Sequence, residues 1–342
     1  MWEGALAYYQ KIKHDRHLYP AGRDRPGQAG WIADRLLRLR AQLNAEIISK
    51  REPGTLTIGS WNIRHFDGGR PRMRESFHYI AEIIDKFDIC AVQEVKDVAS
   101  VNRLVKLLGP NWDFFINDSS GGGRGNHERM AFIYNTNTVS FRNLIGELVV
   151  PQDALPGDEQ IARTPFFASF QAGWFRFTLC SAHIVFEEKE GRPLREDEIR
   201  VISEILEDRA KEMDEVHIFL GDFNTDKRTE GAIPALQDLG FIVPDFGKTN
   251  LLGTKHYDHI TFVGPKDESN LRHHGAIDFT ESVFMDNEAP DYEAIAIEMR
   301  GKPYKDWDKE YGSWRTNEMS DHLPVWIEIR TDYSNAYLAS IR

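Results

Sequence analysis

The 342-residue chain predicts an α/β fold with much antiparallel pairing, on three observations. From Thr55 onward, short apolar runs alternate with segments of helical period. In the middle of the chain, strand-like runs follow one another with no helical stretch between them, as antiparallel neighbours do. Many of these runs end on Asn, Glu, His or Asp, as in WNI, QEV, SAHI, GDFN and YDHI. The loop ends of a rigid sheet are where sites are usually built.

Residues 1–54 stand apart as an N-terminal helical extension, and 55–342 form the main domain. Within the extension, Trp31 to Lys50 spaces Ile32, Leu36, Leu39, Leu43 and Ile47 by three and four, which predicts an amphipathic helix. Pro20, Pro26, Gly22, Gly27 and Gly30 separate it from a shorter aromatic segment, and Pro53-Gly54 closes it. TLTIGSWNI then reads as a strand. Met73 to Phe87 reads as a helix with Ile80, Ile83, Ile84 and Phe87 as its stripe. DICAVQEV reads as a buried strand and Val98–Leu108 as a helix. WDFFIN, RMAFIYN, PFFASF and WFRFTLCSAHIVF are strand-like, Glu196 to Met213 is helical, and EVHIFLGDFN, HYDHITFVG and LPVWIEI are strands. No internal repeat or low-complexity tract interrupts the series.

Composition bounds the function. Hydrophobic residues at 41% can fill a large core, and charged residues at 28% suit a globular chain. No run approaches 18 apolar residues, so no membrane-spanning helix is expected. The N-terminus lacks a basic region ahead of an apolar one, so no secretory signal is expected and the cytoplasm is the expected compartment. Cys90 and Cys180 sit inside apolar runs and read as reduced core residues. The net charge is −12, although residues 1–51 hold ten Lys/Arg against five Asp/Glu, so the body is more acidic still. Such a body does not bind nucleic acid by bulk charge. A polyanionic substrate stays open, because bound metal ions reverse the local field.

Taken singly, the polar strand ends are ordinary: a turn Asn62, a solvated Glu94, a Gly-Asp-Phe-Asn turn at 221–224, a surface pair Asp258-His259. Together, WNI, QEV, ER, SAH, GDFN, YDHI and SDHLPV run in order from residue 61 to 325. This series resembles the endonuclease/exonuclease/phosphatase superfamily, and within it the deoxyribonuclease I branch, through QEVKD, NHERMAF, ARTPF, YDHI and NEMSDHLPV. The resemblance covers everything after the extension. It implies a four-layer αββα sandwich of two packed mixed or antiparallel sheets flanked by helices.

The residue types fit the chemistry that the resemblance implies. Glu94, Glu128, Asp222, Asp258 and Asp321 would converge in one cleft, a like-charge crowding that a hard divalent cation and two imidazoles relieve. The resemblance makes Mg²⁺ or Mn²⁺ the cofactor, with Glu94 as principal ligand and Asn62 and Asp321 completing the shell. It pairs Glu128 with His183 and Asp258 with His322. An acid on one ring nitrogen makes the other nitrogen a better base or donor. Asp222 and Asn224 would orient the attacking water and a non-bridging oxygen. The implied reaction is in-line hydrolysis of a phosphodiester, leaving 5′-phosphate and 3′-hydroxyl ends. The missing cysteines mean that a calcium-stabilised disulfide loop is not carried over.

DNA, read through its backbone with little sequence specificity, is the implied substrate. A phosphatase or lipid-headgroup phosphodiesterase of the same superfamily is the alternative. Arg163 matches a backbone-phosphate position, and Lys96 stands where the branch places an arginine in the minor groove. Arg64 and His65 follow Asn62 and could meet a backbone, and the loop Gly121–Gly125 would present Arg124. Tyr304, Trp307, Tyr311 and Trp314 could stack on unpaired bases or pack their segment onto the body.

Overall fold

A computed structural model of the chain describes residues 12, 26–68, 70, 72–119, 127–186, 195–229, 231–264 and 271–342. The strands are β1 (Thr55–Phe66), β2 (Ile89–Val95), β3 (Trp112–Ile116), β4 (Arg129–Asn135), β5 (Ser140–Glu147), β6 (Phe166–Ala172), β7 (Phe175–His183), β8 (Val216–Asp222), β9 (Asp258–Val263), β10 (Leu271–Ala276) and β11 (Val325–Arg330). They form a six-stranded sheet in the order β10-β11-β1-β2-β4-β3 and a five-stranded sheet in the order β5-β6-β7-β8-β9. The helices are α1 (Ala29–Glu46), α2 (Arg74–Ile84), α3 (Val98–Leu108), α4 (Arg195–Met213), α5 (Ala232–Asp238), α6 (Ala289–Arg300), α7 (Trp307–Glu318) and α8 (Ser334–Ser340).

Each sheet has one parallel pair, β1–β2 or β7–β8, and the other pairings are antiparallel. A parallel pair needs a crossover, and α2 and α4 lie in the two connections. Period-two alternation then divides the apolar side chains. Leu56 and Ile58 of β1 and Ile89 and Ala91 of β2 meet Phe166, Phe170, Phe177, Leu179, Ile218 and Ile260 between the sheets. Trp61, Ile63, Cys90 and Val92 point outward into a second cluster with α1, α2, α3, α6 and α7. Cys180, Phe219 and Phe223 do the same on the other sheet with α4 and α5. The result is a four-layer αββα sandwich. A fully buried Leu, Ile or Phe is worth about 1.5–3 kcal/mol, so the three clusters are the main source of stability.

The stripe of α1 (Ile32, Leu36, Leu39, Leu43) and Ile47 are buried in the outer cluster of the six-stranded sheet. Its polar flank is fastened too: Arg35 and Arg38 meet Glu288 at 2.9 and 2.5 Å, and Trp31 Nε1 donates to Tyr292 Oη at 3.0 Å. The helix ends at Glu46, and a short 3₁₀ turn at Ile48–Lys50 follows, where one continuous helix to Lys50 was expected. Trp307, Tyr311 and Trp314 are buried as well, so packing onto the body is what these aromatics do. Both cysteines are free and buried, and burial raises both thiols, that of Cys180 to about 12. Among the described residues, no helix is long and apolar enough to cross a membrane.

Candidate active site

The site grows out of the strand registers. His183 pairs with Asp222 across β7–β8, and Asp222 with Asp258 across β8–β9, so the three stand abreast at one edge of the five-stranded sheet. They share the parity of Leu179, Leu220 and Ile260, which places them on the face turned to the other sheet. Asn62 likewise shares the parity of Leu56 and Ile58. Between the apolar core and these residues lies a polar layer, in which Gln93 Nε2 donates to Ser181 Oγ at 3.1 Å and to Ser60 Oγ at 3.3 Å. The core thus turns polar in steps toward a mouth between the sheets.

Local backbone aims the remaining groups. The β2–β4 register shifts between Val92 and Val95, and Glu94 there has φ of 59°. Such a bulge breaks the alternation and redirects one side chain. Glu94 Oε1 accepts from Asn62 Nδ2 at 3.0 Å, and Oε2 accepts from the His65 backbone N–H at 2.8 Å. Gly221 has φ of 131°, and a Cβ there would lie 2.0 Å from the Ala182 carbonyl oxygen, so only glycine lets β7 and β8 approach ahead of Asp222. Asn224, at φ 52°, donates its N–H to Asp222 Oδ1 at 2.9 Å and its side-chain amide to the Ile184 carbonyl at 2.7 Å. Ser320 Oγ donates to the Asn62 carbonyl at 2.6 Å and accepts the His322 N–H at 3.0 Å, which ties the SDH segment to β1.

Two acid–imidazole pairs result. His183 Nδ1 stands 2.9 Å from Glu128 Oε2, and His322 Nδ1 stands 2.9 Å from Asp258 Oδ2. The opposite nitrogens converge: Nε2 of His183 and of His322 lie 3.5 and 3.7 Å from the same atom, Asp222 Oδ2. Burial alone would raise Glu128, but the hydrogen bond and charge of His183, with Arg163 and Lys96, outweigh it and bring the carboxyl down to about 2. Burial works against a charged His322, yet Asp258 and Asp222 overcome it and raise the imidazole well above its usual range.

The basic residues are arranged differently from a free substrate-binding row. Arg163 Nε and Lys96 Nζ lie 3.0 and 3.3 Å from Glu128, with side chains only 14% and 16% exposed, so both stand inside the site. Arg64 bonds Thr316 and stands 3.8 Å from Asp321. Asp321 is 46% exposed and belongs to neither of the ligand-rich groups among the described residues, which are His65–Glu94–Glu128 and Asp222–Asp258–His322. Arg124 lies outside the described residues. His65, weighed from sequence only as a backbone contact, has Nδ1 3.3 Å from Glu94 Oε2. Its place directly after WNI and Arg64 was the available signal. His259, read singly as half of a surface pair with Asp258, is buried like Asp258: it stands 2.8 Å from Thr225 Oγ1 and is pulled down to about 3 by burial and Arg228.

The donor set suits a hard divalent cation. Asn62 Nδ2 donates to Glu94 and Asp222 (2.9 Å to Oδ2), which leaves Asn62 Oδ1 buried with no partner beside two carboxylates. An amide carbonyl and carboxylate oxygens are the ligands that Mg²⁺ and Mn²⁺ prefer.

Known proteins are similar to the chain in sequence and in fold. Deoxyribonuclease-1 of Gallus gallus is 25% identical over 316 residues, covering 86% of this chain and 99% of that protein. An endonuclease/exonuclease/phosphatase family protein from Bacteroides thetaiotaomicron superposes with a TM-score of 0.56 at 18% identity, over 82% of this chain and 99% of the other. A mannosyl-6-phosphatase from the same organism superposes at 0.53 and 17%, over 80% and 98%. At such identities the two structures speak for the fold alone. Residues 59–264, a span that holds Asn62, Glu94, Glu128, His183, Asp222 and Asp258, match the endonuclease/exonuclease/phosphatase family, and the chain belongs to it.

Proposed function

We propose that the protein is a metal-dependent phosphodiesterase that cleaves DNA with little sequence specificity and leaves 5′-phosphate and 3′-hydroxyl ends. The observation that carries this reading is the convergence of two acid-held imidazoles on one carboxylate oxygen, Asp222 Oδ2, beside Asn62 and Glu94. Each Nδ1 is held by an acid, so each Nε2 is the atom that takes or gives a proton. Two such atoms flanking one site suit in-line displacement at phosphorus: a water is deprotonated on one side, and the leaving oxygen is protonated or stabilised on the other. Asp222 and Asn224 orient the water and a non-bridging oxygen, and Arg163 and Lys96 keep Glu128 ionised. Glu94 and Asn62, with Asp321 closing from the side of Arg64, would hold Mg²⁺ or Mn²⁺, which supplies Lewis-acid stabilisation of phosphoryl charge when bound. The similarity to a protein named deoxyribonuclease-1 over nearly its whole length supports DNA as the polymer.

Plasmid and linear duplex DNA incubated with Mg²⁺, Mn²⁺ or EDTA test the reading. Cleavage in the metal arms, none in EDTA, and nicks that a ligase reseals are expected. A protein inert on every DNA form but fast on sugar or inositol phosphates, or on sphingomyelin, would overturn the substrate and establish the phosphatase or lipid-headgroup alternative.

A further inference from the structure

Strands β1 and β2 lose their regular form at one shared point. Their parallel register holds to the pair Asn62 and Gln93, and it shifts before the pair Phe66 and Val95. Two residues inside this interval have left-handed backbone, His65 at φ 43° and Glu94 at φ 59°. Residues other than glycine seldom adopt it, and surrounding contacts must hold them there. The His65 N–H donates to Glu94 Oε2 at 2.8 Å, and the His65 carbonyl accepts from the Gly68 N–H at 2.7 Å. Backbone fixed on both sides of its Cα delivers the ring to the same carboxylate, with Nδ1 3.3 Å from Glu94 Oε2.

Glu94 differs from the other carboxylates of the site. Glu128 is met by His183, Arg163 and Lys96, Asp258 by His322, and Asp222 lies near both Nε2 atoms. Among the described residues, His65 is the one basic group within ion-pair reach of Glu94. Arg72, which also acts on Asp67 and Glu318, reaches Glu94 only through space. His65, Glu94 and Glu128 each offer a ligand atom within 4.8 Å of the others. Glu128 is occupied by its three partners, which leaves an imidazole and a carboxylate side by side. The His65 side chain is 48% exposed, so an ion has access to it. On the Oε1 side of Glu94, the buried Asn62 Oδ1 has no partner. Without an ion, the ring and the carboxylate hydrogen-bond each other; with one, both present lone pairs to it.

We infer that His65 is a further metal ligand, binding through Nδ1 beside Glu94, and that it tilts the site from Mg²⁺ toward Mn²⁺ and Co²⁺. The inference rests on the proposed metal-dependent reaction and adds one nitrogen donor to the otherwise all-oxygen set of Glu94, Asn62 and Asp321. Mg²⁺ takes oxygen ligands and keeps its waters, whereas affinity for a nitrogen-containing site rises along the first-row series from Mn²⁺ to Co²⁺. An imidazole beside the principal carboxylate therefore stabilises the transition ions more than it stabilises Mg²⁺.

Electron spin-echo envelope modulation of Mn²⁺ added to the full chain tests it, because a coordinated imidazole nitrogen couples to the ion's electron spin. His65→Asn removes the imidazole, keeps the backbone N–H that Glu94 accepts, and places a residue tolerant of left-handed backbone at φ 43°. Nitrogen coupling should be present in the wild type, in His183→Asn and in His322→Asn, and lost in His65→Asn. Calorimetric titration with each ion alone should show Mn²⁺ and Co²⁺ bound about tenfold more weakly by His65→Asn, and Mg²⁺ changed by about twofold or less. His65→Gly, which suits the same backbone, should reproduce both changes. A wild type without nitrogen coupling, coupling that survives His65→Asn, or equal weakening of all three ions would overturn the assignment. Coupling that depends on His65 in a protein inert on every DNA form would sink the nuclease reading and leave the ligand standing. Metal-dependent DNA cleavage with no nitrogen at the ion would do the reverse.

Discussion

Replacing Glu128 with Gln removes the charge on which His183, Arg163 and Lys96 converge while keeping the side chain's shape. The wild-type carboxylate is 4% exposed and stands 2.9, 3.0 and 3.3 Å from those three groups. Its pKa falls from 4.5 to about 2. At about 1.4 kcal/mol per pH unit, that depression corresponds to about 3 kcal/mol of stability held by the ionised form. Because the folded value lies below the unfolded one, the contribution is complete above pH 4.5 and is lost as pH falls toward 2. The introduced amide would offer one acceptor to three donors and turn its own NH₂ toward a cation, with Arg163 and Lys96 left partly unbalanced in a buried place. Urea unfolding followed by tryptophan fluorescence should therefore show the variant about 3 kcal/mol less stable at pH 7, with the gap closing between pH 4.5 and 2. DNA cleavage at pH 7 should fall by about a hundredfold or more, the usual scale for disabling an acid–base group. A stability gap that stays constant from pH 7 to pH 3, or a variant equal to wild type in both stability and rate, would refute the role given to this carboxylate.

Other perturbations separate the remaining parts. Glu94→Ala should abolish cleavage while leaving the unfolding midpoint near wild type, and metal bound equally well by the variant would remove Glu94 from the ligand set. His183→Ala and His322→Ala should each lower the rate by about a hundredfold or more, and normal turnover by either would dissolve the two-imidazole scheme. Glu75 is fully buried, accepting from the Gly27 N–H at 2.6 Å and Tyr292 Oη at 2.7 Å, and burial pushes it up to about 7. Its folded value lies above the unfolded 4.5, so it lowers stability by about 3 kcal/mol as pH rises from 4.5 to 7. Glu75→Gln should gain on wild type across that window, and parallel pH curves would show that the carboxyl stays solvated.

Where a segment sets a regular apolar face against the core or runs apolar throughout, its sequence pattern alone was enough. The helix at Val98–Leu108 lies where its periodicity places it, and the α1 stripe identified every residue that helix buries except Trp31 at its start. DICAVQEV and EVHIFLGDFN are central strands, and their near-continuous apolar runs reflect neighbours on both edges and both faces. The unread strands, β5 and β10, are both sheet edges, largely exposed or half-exposed. With one neighbour and one open face, SFRNLIGE and LRHHGA are under little pressure to alternate, so nothing in their composition marks them. The motif series named the polar strand ends through its resemblance to the family; Asn62, His183, Asp222 and Asp258 continue the inward parity of the core, whereas Glu94 is turned by the bulge. Tertiary contact alone decided where each charge stands. Sequence offered Lys96 and Arg163 as substrate contacts, and only folding shows that both also stand beside Glu128, 32 and 35 residues away in the chain respectively. The bulge that turns Glu94 toward Asn62 likewise depends on pairings far apart in the chain, and local propensity carries no record of them.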